Sequence, residues 1–357
     1  MAQMTKLYSM EDIKKQPLGI LDNVDLSEIN ITRKDARKFY RDMTVEECKC
    51  PTRYGIVTGW TENVIWPKEA DWLCQIPTLQ HYSDFEHFKV CRPTYSLHHT
   101  TDELTGKNIG IAVIYTEFNW THPEYSENIA HYETLYTTQK EITTALTETA
   151  LNASALVSTA VGKKCGAAPD SKLHYFAAPT DANANGHTDA LKRVLEHNDK
   201  LPDNKKIRFL ICPWNDKDKQ KYSQQQQLLK QCEQNGIMII GAGRDTFRKK
   251  LVTYSPNFVT YLREKGYGVS IDDHVVAHPN GNYVFLRYAG MPSAMACIAG
   301  GLACVVSYTP KFCTIENWQH RLIELTIHNS SCETDCHEFN PGNMPYIVRN
   351  EYERHVR

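Results

Sequence analysis

Several common functional signatures are missing from this sequence. It contains no phosphate-binding loop, no dinucleotide fingerprint, no internal repeat and no long basic block. Its first 19 residues, MAQMTKLYSMEDIKKQPLG, have no apolar core, so we expect no secretory signal there and a cytoplasmic location. The formal net charge is only -2. We therefore expect neither nucleic acid nor a membrane surface as the partner.

The cysteines do not form the CxxC pairs that are typical of structural zinc sites. There are 12 of them, and the nearest approaches to a ligand set are Cys48-x-Cys50 and Cys332-x3-Cys336-His337. In the absence of a secretory signal, scattered reduced thiols are the favoured interpretation. We predict no metal ion and no cofactor.

One apolar stretch, residues 291–308, has nearly the length of a membrane helix. A membrane-spanning helix needs about 20 apolar residues, whereas this segment is dominated by alanine, glycine and serine. Small residues allow neighbouring elements to approach closely. The segment therefore predicts a helix buried inside a protein core.

The chain from residue 106 onward alternates between two hydrophobic patterns. Continuous apolar runs of strand length alternate with segments that have helical spacing. Strands of this kind, separated by helices, indicate a parallel sheet that is buried on both faces. The prediction is an α/β fold, a three-layer αβα sandwich with a mostly parallel central sheet. Strands are expected at 109–115, 172–177, 207–212 and 236–241, and helices at 139–161, 188–198 and 223–235.

The predicted chain has three parts. Residues 1–90 form an irregular or helical N-terminal extension, with a helical pattern at 27–43. Residues 91–330 form the α/β domain, and residues 331–357 form a polar C-terminal tail without regular structure. The extension is either a separate unit or a wrapping around the core, and the sequence leaves both open.

Five segments, in order along the chain, resemble the subtilisin-like serine proteases. The family begins its catalytic domain with TGKGVxVAVIDTG and HPxL, and carries HGTHVAGxxAG, GVAPxAKL and YxGTSMASPHVAG further on. Here the matching segments are TGKNIGIAVIYTE with THPE, NASALVSTAVG with GAAPDSKL, GIMIIGAGRD, GYGVSI, and YAGMPSAMACIAG. The resemblance covers about residues 90–330 and implies a subtilisin-like fold for them.

At each catalytic position of that family, this chain carries a different residue. The family's aspartate, histidine and serine correspond to Tyr115, Asn152 and Pro292, and its oxyanion asparagine to Arg244. A neutral phenol cannot stabilise an imidazolium, and an amide cannot take up a proton at a useful pH. Proline has no hydroxyl and no backbone N–H to contribute to an oxyanion hole. The resemblance thus implies a fold without its catalytic machinery.

Two rebuilt sites are alternatives to this interpretation. Ser293, one residue past Pro292, is a candidate displaced nucleophile, although it would lack a base. Asp272 and His274, beyond the GYGVSI segment, are candidates for acid/base chemistry or metal binding. A solvated polar loop is the simpler interpretation of this second pair.

The resemblance also implies a peptide-binding edge. The family's substrate-pairing strand falls near Cys212, Pro213, Trp214 and Asn215. A peptide would bind there as an added strand, but Pro213 removes one hydrogen-bond donor and Trp214 fills space. Packing of Trp214 into an empty cleft is an equally weighted interpretation.

The sequence therefore predicts a subtilisin-like pseudoprotease that binds rather than cuts. Its expected role is that of a peptide- or protein-binding scaffold, adaptor or sensor, and its partner could be an active protease or a pathway enzyme. The alternatives are a rebuilt hydrolase or peptide-modifying enzyme, and a structural subunit that forms a homo-oligomer through its N-terminal extension.

Overall fold

The computed structural model describes most of the chain beyond residue 103, together with two short strands before it. The described residues are 6–9, 65–66, 104–148, 150–163, 166–179, 186–213, 219–241, 266–268, 272–277, 279, 283–288, 290–329, 331–332, 336–339 and 341–356.

A six-stranded sheet forms the centre of the molecule, in the order β1-β4-β5-β3-β6-β7. The five strands from β4 to β7 pair in parallel, and β1 is added to the edge antiparallel to β4. The predicted parallel sheet is therefore confirmed. The strands are β1 (Lys6–Ser9), β3 (Gly110–Tyr115), β4 (Ile129–Thr134), β5 (Lys172–Ala177), β6 (Ile207–Cys212) and β7 (Met238–Gly241).

Helices cover both faces of this sheet and produce the three layers that the pattern predicts. One apolar core lies between the sheet and helices α1, α2, α5, α6 and α7, and a second lies between the sheet and α3 and α4. Every residue of β3 is buried, because this strand lies in the sheet interior with a core on either side. The helices are α1 (Gln139–Glu148), α2 (Ala150–Val161), α3 (Gly186–Lys200), α4 (Lys219–Gln234), α5 (Gly290–Ser307), α6 (Trp318–Asn329) and α7 (Met344–Val356).

Two three-stranded sheets accompany the central one. The first has the order β2-β10-β9 and the second the order β11-β12-β8. The backbone N–H of Ala277, at the end of β9, donates to Ser158 Oγ on α2 over 3.1 Å and fastens the first sheet to the helical layer. Their strands are β2 (Ile65–Trp66), β8 (Gly266–Gly268), β9 (Asp272–Ala277), β10 (Tyr283–Tyr288), β11 (Ser331–Cys332) and β12 (Cys336–Glu338).

Helices α2 and α5 pack closely, side by side. A Cβ atom on Gly300 would lie only 3.0 Å from the carbonyl oxygen of Ala160 and 2.7 Å from Cβ of Ala167. Further along α5, Cys304 Sγ contacts the carbonyl oxygen of Ala167 at 3.1 Å. Gly300 therefore lies beside Ala160, near the end of α2, and Cys304, one turn later in α5, lies beside Ala167 in the segment that follows α2. The contacts advance in the same direction along both chains, so the two helices run parallel.

The apolar stretch at 291–308 lies in α5, as predicted, and its described side chains are buried from residue 292 to residue 306. Among the helices that the structure describes, none combines the length and hydropathy needed to cross a membrane.

The structure departs from the sequence expectations at several elements. The segment 139–161 contains two helices, α1 and α2, instead of one. Strand β4 was not expected, since its sequence IAHYET carries charged and polar residues. The prediction of an irregular tail is wrong for residues 344–356, because α7 places Met344 and Val348 in the first core. The predicted helix at 27–43 lies outside the described residues.

Candidate functional site

Three of the four residues at the presumed catalytic positions belong to the described part of the chain. Tyr115 is the last residue of β3, Asn152 is the third residue of α2, and Pro292 is the third residue of α5. Arg244 lies outside the described residues.

Helix geometry brings Asn152 and Pro292 to the same level. Asn152 lies eight residues before Ala160 in α2, and Pro292 lies eight residues before Gly300 in α5, where Gly300 and Ala160 are in contact. At about 1.5 Å per residue this is about 12 Å along two parallel helices. The two N-terminal turns therefore lie side by side, at the end remote from the Ala160 contact.

Tyr115 lies at the corresponding edge of the sheet. Helix α2 leads through residues 166–171 to the start of β5, so its C-terminal end is near the amino edge of the sheet and its N-terminal end is near the carboxyl edge. Tyr115 ends β3 at that carboxyl edge, where its carbonyl oxygen accepts the Ala178 N–H at 2.7 Å. In open α/β sheets this edge is where ligands bind. Tyr115, Asn152 and Pro292 therefore lie at one edge of the sheet, and by analogy with the substrate groove of the subtilisin-like proteases we call this region the carboxyl-edge cleft.

All three residues are largely removed from solvent. The exposed fraction is 6% for Tyr115 and 7% for Asn152, and Pro292 is also buried. Ser293 is 1% exposed, and its Oγ has no hydrogen-bond partner within the described structure. A serine in this state is not presented to a substrate carbonyl.

A buried carboxyl group two residues beyond Tyr115 was missed in the sequence analysis. Glu117 is fully buried, and its two carboxyl oxygens accept hydrogen bonds from the hydroxyls of Tyr132 and Thr134. Burial raises the pKa of Glu117 to about 8, although these two hydrogen bonds lower it. Glu117 therefore holds a proton at neutral pH, unlike the ionised aspartate that the family places at the end of this strand.

Phenol groups surround this carboxyl. Burial, and then the negative charge that Glu117 acquires on ionisation, raise the pKa of Tyr136 and of Tyr175 well above the usual value. The hydroxyl of Tyr175 donates to the carbonyl oxygen of Thr116. The result is a protonated, uncharged network beneath the end of β3, which supplies no anion to orient an imidazolium.

Glu117 had a signal in the sequence. It occupies the position of the glycine in the family's DTG segment, where this chain reads Tyr115-Thr116-Glu117. A carboxylate in place of a glycine at the end of a buried strand is an unusual substitution. The sequence analysis concentrated on the lost aspartate and did not consider its neighbour.

The predicted peptide-binding segment is described only in its first half. Cys212 ends β6 and is buried, and Pro213 follows it and is half-buried. Since β6 is next to β3 and parallel to it, Cys212 also lies at the carboxyl edge. Trp214 and Asn215 lie outside the described residues.

The alternative pair, Asp272 and His274, lies on strand β9 and not in a loop. Its backbone pairs Asp272 with Tyr288 and His274 with Leu286 on β10. Within the described ranges, no group of three or more His, Cys, Asp or Glu side chains has an arrangement that could hold a metal ion.

Comparison with solved structures assigns the fold. The chain is similar to a chain from the structure of the subtilase cytotoxin SubAB assembly, with a TM-score of 0.55 and 12% identity over 73% of this chain and 96% of the other. It is similar to the PatG macrocyclase domain, with a TM-score of 0.53 and 14% identity over 75% and 97% of the two chains. The nisin leader peptidase NisP from Lactococcus lactis matches with a TM-score of 0.50 and 11% identity over 71% and 93%. The chain therefore has a subtilisin-like fold.

Comparison at the level of sequence yields nothing of this kind. No family model and no curated protein matches the chain.

Proposed function

We propose that this chain is a non-catalytic protein of subtilisin-like fold that binds a peptide or a protein segment in the carboxyl-edge cleft. The observation that supports the proposal is the presence of Tyr115, Asn152 and Pro292 where the sequence resembles the family's three triad motifs. A phenol, an amide and an imino acid supply neither a general base nor a nucleophile. The burial of Ser293 and the protonated state of Glu117 support the same conclusion.

Binding is the activity that this cleft can retain. The solved structures with this fold include a leader peptidase and a macrocyclase, and the PatG macrocyclase has also been solved in complex with a peptide. A groove that accommodates an extended peptide does not need the triad, because main-chain hydrogen bonds and side-chain pockets supply the affinity. The proposed role is a scaffold, adaptor or sensor whose partner is a peptide, an active protease or a pathway enzyme.

The absence of a nucleophile can be tested with a fluorophosphonate probe on the full chain. We expect no covalent labelling under conditions in which an active serine hydrolase is labelled completely, because Ser293, the serine next to Pro292, has no base as a partner in the described part of the chain. Intact-mass spectrometry provides the readout. Labelling that maps to Ser293 and is lost in Ser293→Ala would establish the rebuilt hydrolase instead.

Binding is tested separately with peptides selected against the full chain from a phage-displayed random library. Because the library is selected against a groove that is predicted to contain the Trp214 indole, a selected peptide should pack on that ring, and its fluorescently labelled form should bind at least about tenfold more weakly to Trp214→Ala, which corresponds to about 1.4 kcal/mol. The matched control is Tyr346→Ala, an aromatic residue on α7 that is 46% exposed and contacts Tyr308 beyond the far end of α5. Equal losses in both variants, or no selectable peptide, would contradict the proposal.

A further inference from the structure

Three histidines meet on the opposite side of the sheet from the cleft helices. They come from neighbouring elements: His131 from β4, His174 from β5 and His197 from α3. We call them the histidine cluster. His174 Nδ1 and His197 Nε2 are 2.9 Å apart, and the ring of His131 stacks on that of His197 with a centroid distance of 3.9 Å.

This geometry does not suit a metal ion. Two stacked imidazole rings point their nitrogen atoms sideways, in parallel planes, so they do not converge on one point. The rings of His131 and His197 are only 22° from parallel. Consistently, the described part of the chain contains no metal-compatible group of three ligands.

The same geometry depends on the protonation state. The contact between His174 and His197 requires one N–H and one lone pair, so it is lost when both rings are protonated. Two imidazolium rings stacked at 3.9 Å would also repel each other directly. The closed arrangement of the cluster therefore requires that most of its rings are uncharged. Histidine is the side chain that gains a proton just below neutral pH.

The surrounding charges compensate one added proton but not a second. Glu133 on β4 is close to His131 Nε2 at 3.4 Å, but it also pairs with Arg193 Nε at 3.4 Å. From α3, Glu196 is engaged by Arg193 at 3.0 Å, and Lys200 adds a positive charge near His197. The other carboxylates of α3 are Asp189, which pairs with Lys192 at 3.0 Å, and the exposed Asp199, which lies two residues from His197 and so on a different face of the helix.

We propose that the histidine cluster is an acid-operated latch that holds the C-terminal turn of α3 against β4 and β5. Above neutral pH the uncharged rings hydrogen-bond and stack, and the turn is closed. Uptake of a second proton breaks both contacts and frees the turn. The rest of α3 stays in place, since Ala190, Leu191 and Val194 anchor it in the second apolar core.

The direction of the proton linkage supports this proposal. Burial, with the charges of His131 and Lys200, lowers the pKa of His197 from 6.5 to about 3. Burial, with the charges of His197 and His131, also lowers the pKa of His174 well below its usual value. A group with a lowered pKa in the closed state stabilises that state above its usual pKa, and this stability is lost as the pH falls below about 6.5.

The backbone amide of Ile207 reports whether the C-terminal turn of α3 is open. Asn198 Oδ1 accepts the backbone N–H of Ile207 at 2.8 Å, and the Asn198 carbonyl oxygen accepts Lys206 Nζ at 2.7 Å. When the turn that carries His197 and Asn198 moves, the Ile207 amide loses its partner. Its hydrogen exchange therefore reads the latch directly.

The experiment is hydrogen exchange of the full chain between pH 7.5 and 5.0, expressed as protection factors so that the intrinsic effect of pH is removed. The opening constant of the α3 C-terminal turn and of Ile207 should stay nearly constant above about pH 6.5, and below it should rise about tenfold per pH unit for each proton taken up. The amides around Leu191 should stay protected. In His197→Gln the rise should be reduced by at least about tenfold at pH 5.0.

The controls separate a latch from general acid lability. His320→Gln removes a histidine that is about half exposed and pairs with Glu324 on α6, and it should behave as the wild type. If His197→Gln fails to fold, His131→Gln removes the other stacked ring, which is also only partly buried, and should give the same reduction. A wild-type profile without pH dependence, an equal rise in the wild type and the foldable cluster variant, or loss of protection throughout the chain would each refute the latch.

Discussion

A single buried carboxyl group, that of Glu117, determines the electrostatic environment at the end of β3. Its pKa of about 8 means that burial outweighs two hydrogen bonds from hydroxyl groups. The folded protein therefore binds a proton that the unfolded chain releases above pH 4.5 or so. Because ionisation of this buried carboxyl is unfavourable in the folded state, it limits the range of pH over which the fold keeps its full stability.

This constraint predicts a pH dependence of stability. The contribution of the Glu117 proton is complete below the unfolded pKa of about 4.5 and is lost as the pH rises towards 8, at about 1.4 kcal/mol per pH unit. Glu117→Gln removes the ionisable group but keeps two hydrogen-bonding atoms. We expect the variant to gain stability relative to the wild type on going from pH 5 to pH 8, as measured by urea unfolding.

The control for this prediction is Glu141→Gln. Glu141 is an exposed carboxylate at the start of α1, where it accepts the backbone N–H of Thr138 at 3.1 Å, and Thr138 Oγ1 accepts the Glu141 N–H at 3.3 Å. Burial raises the pKa of Glu141, but the hydrogen bonds from Thr137 and Thr138 together lower it by more, so that the net pKa is below the usual value. Its contribution to the stability of the fold is therefore lost as the pH falls. Between pH 5 and pH 8 the Glu141→Gln variant should therefore differ from the wild type by a constant amount, because the contribution of Glu141 is lost only below the usual carboxyl pKa of about 4.5. A parallel response would contradict the assignment of Glu117.

At the scale of single residues, the sequence predicted a residue's position correctly where the hydrophobicity of its neighbours alone determined it. That Tyr115 ends a buried strand follows from the apolar run before it, and the structure agrees. Glu117 was missed because a carboxylate after a strand usually indicates a solvated turn, and only the packing of Tyr132 and Thr134 makes it a buried one.

At the level of elements, the contact between α2 and α5 determines the geometry of the cleft. Gly300 is a point of close approach between the two helices, and Asn152 and Pro292 each lie eight residues before its contact with Ala160. The space beside Gly300 is filled on one side by backbone, the Ala160 carbonyl, which cannot rotate away. A side chain here would force the two helices apart.

Gly300→Val should therefore destabilise the protein by about 1–3 kcal/mol, the usual cost of an overpacked core. Lys192→Val, at an exposed position of α3, measures the cost of placing valine in a helix without any clash. Thermal unfolding of both variants provides the comparison. A Gly300→Val protein as stable as Lys192→Val would show that α2 and α5 do not approach as described.

The elements that were predicted well are those with an uninterrupted apolar run. Strands β5 and β6 have the predicted bounds, 172–177 and 207–212. Strand β4 was missed because His131 and Glu133 interrupt its pattern, and both are accommodated by partners from α3 that are remote in sequence. Local patterns do not reveal such partners, so β4 and the histidine cluster were invisible before the structure.

On the scale of the whole molecule, the C-terminal residues belong to the domain and not to a tail. Helix α7 contributes Met344 and Val348 to the first core, and Glu351 pairs with Arg321 of α6. Arg349 reaches Tyr308 beyond the end of α5 through a hydrogen bond of 3.1 Å. These contacts connect α7 with the same helical layer that forms the cleft.

The integration of α7 predicts a contrast between two positions of one helix. Met344→Ala should cost about 2–5 kcal/mol, because Met344 is fully buried and its removal leaves a cavity. Tyr346→Ala, two residues away and 46% exposed, should stay within about 0.5 kcal/mol of the wild type. Chemical denaturation measures both. Similar costs for the two variants would mean that α7 is not packed in the way the structure shows.

The parallel arrangement of α2 and α5 has an electrostatic consequence that does not involve side chains. Each helix carries about half a positive charge at its N-terminus, which arises from aligned peptide dipoles. Because both helices begin at the same edge, their fields add at the mouth of the cleft. This field does not depend on the identity of Tyr115, Asn152 or Pro292, so it should attract carbonyl oxygens and carboxylates whichever side chains stand at these positions.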